Sequence, residues 1–132
     1  MLMDLKNKKN KWKHRHFWQS FCHASAGLLT AWKEERNLRF HSFAAIAVFL
    51  LAWLLQLRLF EWLWLGLCVT LVLVSELWNT VLENVVDLIT ECKRDPLAKK
   101  AKDIASGAVF VTAVFAAISG AVIFIPHLLA LF

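Results

Sequence analysis

The chain has 132 residues, 59% of them hydrophobic, with 7 Trp, 10 Phe and no Tyr, but only 4 Gly and 2 Pro. So few turn residues exclude an all-β fold and point to one domain of long helices. A soluble fold of this chain would lack the polar surface to cover so apolar an interior, and the formal charge of +5 is clustered rather than spread.

Nine of the 15 Lys and Arg residues lie in positions 1–39, and five more are Lys93, Arg94, Lys99, Lys100 and Lys102. The remaining one is Arg58. Such clusters serve nucleic acid, anionic lipid or membrane orientation. Beside long apolar runs, orientation is the better reading, and no nucleic-acid partner is expected.

In chain order, residues 1–13 are rich in Lys and Asn and read as a basic cytosolic arm. They are not a signal peptide, because no compact apolar region with a small-residue cleavage site follows. Residues 14–38 place Phe17, Phe21, Ala24, Leu28, Ala31 and Trp32 at helical steps, opposite Gln19, His23 and Lys33. This predicts an amphipathic helix in the membrane interface.

The first transmembrane helix is predicted at about 40–57. Arg58 and Glu61 then mark a short turn. A second span follows at 61–86, and Trp53, Trp62 and Trp64 fit an aromatic belt. Asp95-Pro96 reads as a helix start, with Asp as cap and Pro in the first turn. The third span is predicted at 104–125, ending where Pro126 stops the helix, with 127–132 as an external tail. The expectation is an all-α integral membrane protein: three transmembrane helices plus an N-terminal amphipathic interfacial helix. The charge clusters put the N-terminus in the cytoplasm and the C-terminus outside.

Glu76, Asn79, Glu83 and Asp87 follow one another at steps of three, four and four. At about 100° per residue they share an arc of about 80° on one helix face. A lone carboxylate at the bilayer centre costs at least ~2.5–3.5 kcal/mol, so three on one stripe near a membrane boundary indicate cation binding or proton transfer. A polar seam between helices would need only the Asn. A carboxylate from Glu34-Glu35, on the same predicted side, could share Mg²⁺ with Glu83. Lys102 is a candidate phosphate ligand with Asp103 beside it; the plainer alternative is a snorkelling Lys with a nearby acid. His41 could orient a carboxylate, but an interface residue is the preferred reading. Cys22, Cys68 and Cys92 form no CxxC pair, so neither zinc nor a disulfide framework is indicated. There is no P-loop, protein-kinase signature or nucleophile elbow.

Residues Glu76-Leu77-Trp78-Asn79-Thr80-Val81-Leu82-Glu83-Asn84-Val85-Val86-Asp87 resemble the E-x-x-N-[ST]-x-x-E-x-x-V-D signature of the prokaryotic diacylglycerol kinase family. Pro96-Leu97-Ala98-Lys99-Lys100-Ala101-Lys102-Asp103 is similar to its P-L-A-K-x-A-K-D segment. Glu35-Arg36-Asn37-Leu38-Arg39-Phe40-His41 resembles the E-R-N-x-R-x-H stretch of the Gram-positive branch, whose members are largely undecaprenol kinases. Three motifs in order make the resemblance specific, and it covers about residue 13 to Pro126.

The resemblance implies a bacterial plasma-membrane homotrimer with active sites shared between subunits. It implies MgATP-dependent phosphorylation of a lipid alcohol at the cytosolic interface, converting undecaprenol to undecaprenyl phosphate; the alternative is diacylglycerol to phosphatidic acid. By the same resemblance Glu76 would be the catalytic base, and Glu35 and Glu83 would hold Mg²⁺. Asn79, Asp87, Lys102 and Asp103 would contact the nucleotide. Trp78, Asn84, Arg94-Asp95 and Cys22 depart from the usual pattern without removing a ligand. Outside the kinases, a small transporter or a holin-like protein is the remaining class. The one-sided placement of the carboxylates argues against the transporter, and a holin has no need of them.

Overall fold

The computed structural model describes residues 17–131, so the basic arm predicted at 1–13 and Phe132 lie outside the described residues. Four helices follow in order: α1 Phe17–Glu34, α2 Arg36–Leu54, α3 Leu59–Thr90 and α4 Pro96–Leu129. No strand occurs among the described residues. The chain divides into two units at Glu34/Glu35.

The first unit contains α1, the amphipathic segment. It presents Trp18, Phe21, Leu28 and Leu29 as exposed apolar side chains. Trp18 and Phe21 meet edge to face, with ring centroids 6.1 Å apart.

The second unit is a three-helix membrane module. Helices α2, α3 and α4 are each long and apolar enough to cross a bilayer. Their outward faces carry Phe40, Phe43, Ile46, Phe110 and Val122 in exposed positions, which suits contact with lipid tails rather than water. At ~1.5 Å per residue, the 32 residues of α3 and 34 of α4 run to about 48 and 51 Å. Both overshoot a hydrocarbon core of about 30 Å, so their ends stand clear of it.

Helix α3 is the spine. Its buried residues Leu65, Cys68, Val72, Glu76, Asn79 and Thr80 follow one helical stripe. It packs against both neighbours, more extensively against α4 than α2. The Ser75 and Thr112 hydroxyls join α3 to α4 at 2.8 Å, a polar contact well suited to an apolar surrounding. At the α2/α3 turn, Ala52, Leu57 and Leu65 form a small core, flanked by Phe49 and Trp62 stacked at 5.8 Å. Glu61 accepts the Arg58 backbone N–H at 2.8 Å and so starts α3.

Two boundaries differ from the sequence expectation. The surface helix was expected to run to residue 38, but α1 ends at Glu34 and α2 begins at Arg36. Glu35 has extended backbone (φ −93°, ψ 115°), and this breaks the helix. Pro126 was expected to end the last helix, which instead continues to Leu129. A proline so near a helix end forfeits one backbone hydrogen bond and leaves few further turns to disrupt. The His127 ring nitrogen Nδ1 lies 2.9 Å from the Ile123 carbonyl oxygen and ties that last turn to the helix. The expected start at Asp95-Pro96 is present: Asp95 Oδ1 accepts from the N–H groups of Leu97 and Ala98 at 2.8 and 2.9 Å.

Candidate active site

The acidic stripe of α3 forms as its spacing requires, and its members differ in surroundings. Counting about 20 residues of hydrocarbon crossing from Leu59 puts Glu76 near the far boundary of the bilayer, with Glu83 and Asp87 beyond it. Glu76 is 4% exposed and Asn79 8%, while Glu83 and Asp87 are half-buried.

A carboxylate as enclosed as Glu76 needs a hydrogen-bond donor. His41, from α2, supplies it: Nε2 lies 3.1 Å from Glu76 Oε1. The charges of Glu35 and Glu83 also reach Glu76 and repel it. Two further carboxylates, one from the start of α2 and one from α3, are therefore within electrostatic range of Glu76. The Glu35 side chain makes no capping bond to its own helix, although the residue occupies the cap position.

Asn79 lies between Glu76 and Glu83 on the stripe and bonds Glu83. Its Nδ2 donates to Glu83 Oε1 at 2.9 Å. That bond fixes the amide orientation, because a reversed amide would set oxygen against oxygen. Asn79 Oδ1 is then buried with no hydrogen-bond partner among the described residues. A buried oxygen left open in this way is suited to a ligand's donor or a hard cation.

At the end of α3 the backbone turns sharply through Glu91 and Cys92, both left-handed at φ 51° and 59°. The Cys92 N–H donates to the Asp87 carbonyl at 2.9 Å. The turn brings α4 back beside α3, and Lys102 Nζ reaches Asp87 Oδ1 at 2.6 Å. Lys102 also feels the Glu83 charge, which joins this pair to the rest of the stripe. Asp103 is held elsewhere, by Lys99 at 2.9 Å. Lys102 and Asp103 are neighbours in sequence, and in space each has a different partner.

Beside the Asp87–Lys102 pair lies an open cleft of about 740 Å³, whose walls include Lys93, Arg94, Lys99 and Lys102. Such a basic cleft suits a polyphosphate, with Lys acting as point charge and Arg as a fork. A separate apolar groove of about 370 Å³ runs between the three spans, with His41, Val72, Ala113 and Ala117 among its walls. Glu76 thus touches a residue of the apolar groove, His41, while Asp87 on the same stripe lines the cationic cleft. The sequence offered His41 as a residue that could orient a carboxylate but preferred an interface role, and the structure sets it against Glu76; the contribution of Lys93, Arg94 and Lys99 to the cleft was not foreseen. The basic cluster at 93–102 was the signal for the cleft.

Comparison with known proteins gives the family. The family model for prokaryotic diacylglycerol kinase matches residues 22–124. An undecaprenol kinase of Bacillus subtilis is 44% identical over 126 residues, covering 96% of this chain and 100% of that protein. A diacylglycerol kinase of Synechocystis is 42% identical, over 94% of this chain and 71% of that protein. One from Helicobacter pylori is 36% identical, over 76% and 78%. The chain belongs to the prokaryotic diacylglycerol kinase family, and is an integral membrane lipid kinase that takes ATP as its co-substrate.

Proposed function

We propose that this kinase phosphorylates a polyprenyl alcohol, undecaprenol, to its monophosphate at the cytoplasmic face of the plasma membrane. The observation that carries this reading is the 44% identity to the Bacillus undecaprenol kinase across the whole of that protein. The Glu35–His41 stretch, similar to that of the Gram-positive branch, supports it. Diacylglycerol is the second reading, favoured by the 42% identity to the Synechocystis enzyme.

Glu76 is the general base. It is buried and touches His41, which lines the apolar groove where the head of a lipid alcohol would arrive. Asn79, Asp87, Lys102 and Asp103 bind or organise the nucleotide, whose phosphates lie against the basic cleft. Glu35 and Glu83 hold Mg²⁺. The donors present fit that ion, since they are carboxylate and amide oxygens. No three His, Cys, Asp or Glu side chains converge into a complete cage among the described residues, and Mg²⁺ with nucleotide needs only one or two carboxylates besides phosphate and water. When bound, the ion would neutralise charge on the transferring phosphoryl group.

The fourteen Lys and Arg residues outside Arg58 support a cytoplasmic N-terminus and an external C-terminus. Helix α1 lies in the cytoplasmic interface with its apolar side chains in the lipid. A homotrimer with sites shared between subunits is part of the proposal. Glu83 and Asp87 remain only half-buried within three helices, and Ala113, Ala117 and Ala121 give α4 a face for close helix approach.

Competition between the two lipids tests the substrate. Purified protein in bilayers with equal mole fractions of undecaprenol and diacylglycerol, supplied with γ-labelled ATP, should place most label in the polyprenyl phosphate. Label found mainly in phosphatidic acid would replace this reading with the second one.

A further inference from the structure

The contact between His41 and Glu76 joins α2 to α3. His41 is on α2 and lines the apolar groove. Its Nε2 lies 3.1 Å from Glu76 Oε1, and the two side chains are 21% and 5% exposed. The Phe40 ring packs against the imidazole at a centroid distance of 5.4 Å. Among the described residues, the side-chain donor that reaches Glu76 is this one. The charged groups facing the pair are Glu35, at the start of α2, and Glu83, on α3; both repel the Glu76 carboxylate.

A carboxylate repelled by two others can turn about its side-chain torsions. A base turned by 1 Å loses on the order of 10² in rate. One fixed donor on one oxygen removes that freedom. We propose that His41 is a positioning residue for the phosphoryl transfer: its Nε2–H donates to Glu76 Oε1 and keeps Oε2 free for the lipid hydroxyl. This rests on the reading of Glu76 as the base.

The hydroxyl proton passes to Glu76 Oε2, and the lipid oxygen forms its bond to the γ-phosphorus. The bond from that phosphorus to the β,γ-bridging oxygen breaks, and ADP leaves with the electron pair. His41 exchanges no proton in this step. The same contact places His41 where the groove meets the base, so it also borders the path of the lipid head group.

The test uses full-length protein in bilayers containing undecaprenol, with ATP varied. His41→Leu, which removes the donor, should lower kcat by about 10² with the KM for ATP unchanged. His41→Gln keeps an N–H of similar reach and should recover about tenfold of that loss. His41→Ala should regain activity when imidazole is added, because the adjoining groove of about 370 Å³ can admit the ring. In a Glu76→Gln background, His41→Leu should cost nothing further, since residues acting as one unit are non-additive.

Wild-type kcat in His41→Leu would overturn the proposal. So would equal losses in Leu and Gln variants without imidazole rescue, or a loss confined to the KM for ATP. Should the Leu variant fail to fold, the Gln and imidazole measurements decide alone. Wild-type kcat in Glu76→Gln would instead sink the assignment of the base, whatever His41 does.

Discussion

Replacing Glu76 by Gln is expected to lower kcat by ~10²–10⁴, the usual loss when general-base action is removed, while the affinity for ATP stays as it was. Gln keeps the volume and can still accept the His41 N–H through its amide oxygen, so the α2–α3 contact survives. The separation of effects follows from position. Asp87 is 11 residues along α3 from Glu76, a rise of about 16 Å, and it is Asp87 that bonds Lys102 beside the basic cleft. Nucleotide contacts at that end are therefore remote from the substituted atom. Single-turnover transfer and equilibrium nucleotide binding would measure the two separately. A variant that binds ATP poorly but turns over normally would make Glu76 a nucleotide or metal ligand.

Glu83→Gln is expected to raise the Mg²⁺ concentration needed for nucleotide binding by at least about tenfold, given that even indirect partners of a metal ligand contribute 10–100-fold. The amide oxygen of Gln can still accept from Asn79 Nδ2, so the link along the stripe is kept and the fold is undisturbed. Binding of a fluorescent ATP analogue, titrated with Mg²⁺, reads the effect without requiring turnover. An unchanged Mg²⁺ dependence would remove Glu83 from the metal site and leave Glu35 needing another partner.

Much of this architecture is legible in the sequence because it is local. The three spans are apolar runs, and Asp95-Pro96 combines a capping side chain with a proline in the first turn. The stripe from Glu76 to Asp87 lies on one helix, so its spacing alone aligns it. What the sequence did not reveal is non-local or a matter of backbone geometry. His41 and Glu76 are 35 positions apart on different helices, and no periodicity relates them. Lys102 is next to Asp103 in sequence, yet the turn through Glu91 and Cys92 delivers it to Asp87. The break at Glu35 carries no Gly or Pro, and a run of Glu, Glu, Arg and Asn reads as a continuing helix until its backbone is seen. Pro126 errs the other way, since a strong breaker costs little so close to a helix end.

The most direct measurement of the central claim follows γ-labelled ATP in bilayers with and without the lipid alcohol, for the wild-type protein and Glu76→Gln side by side. The account predicts label in the lipid fraction only when undecaprenol is present, with ATP consumption rising in step, and transfer by Glu76→Gln lower by ~10²–10⁴. ATP hydrolysis that proceeds equally without the alcohol, or transfer by Glu76→Gln at the wild-type rate, would contradict it.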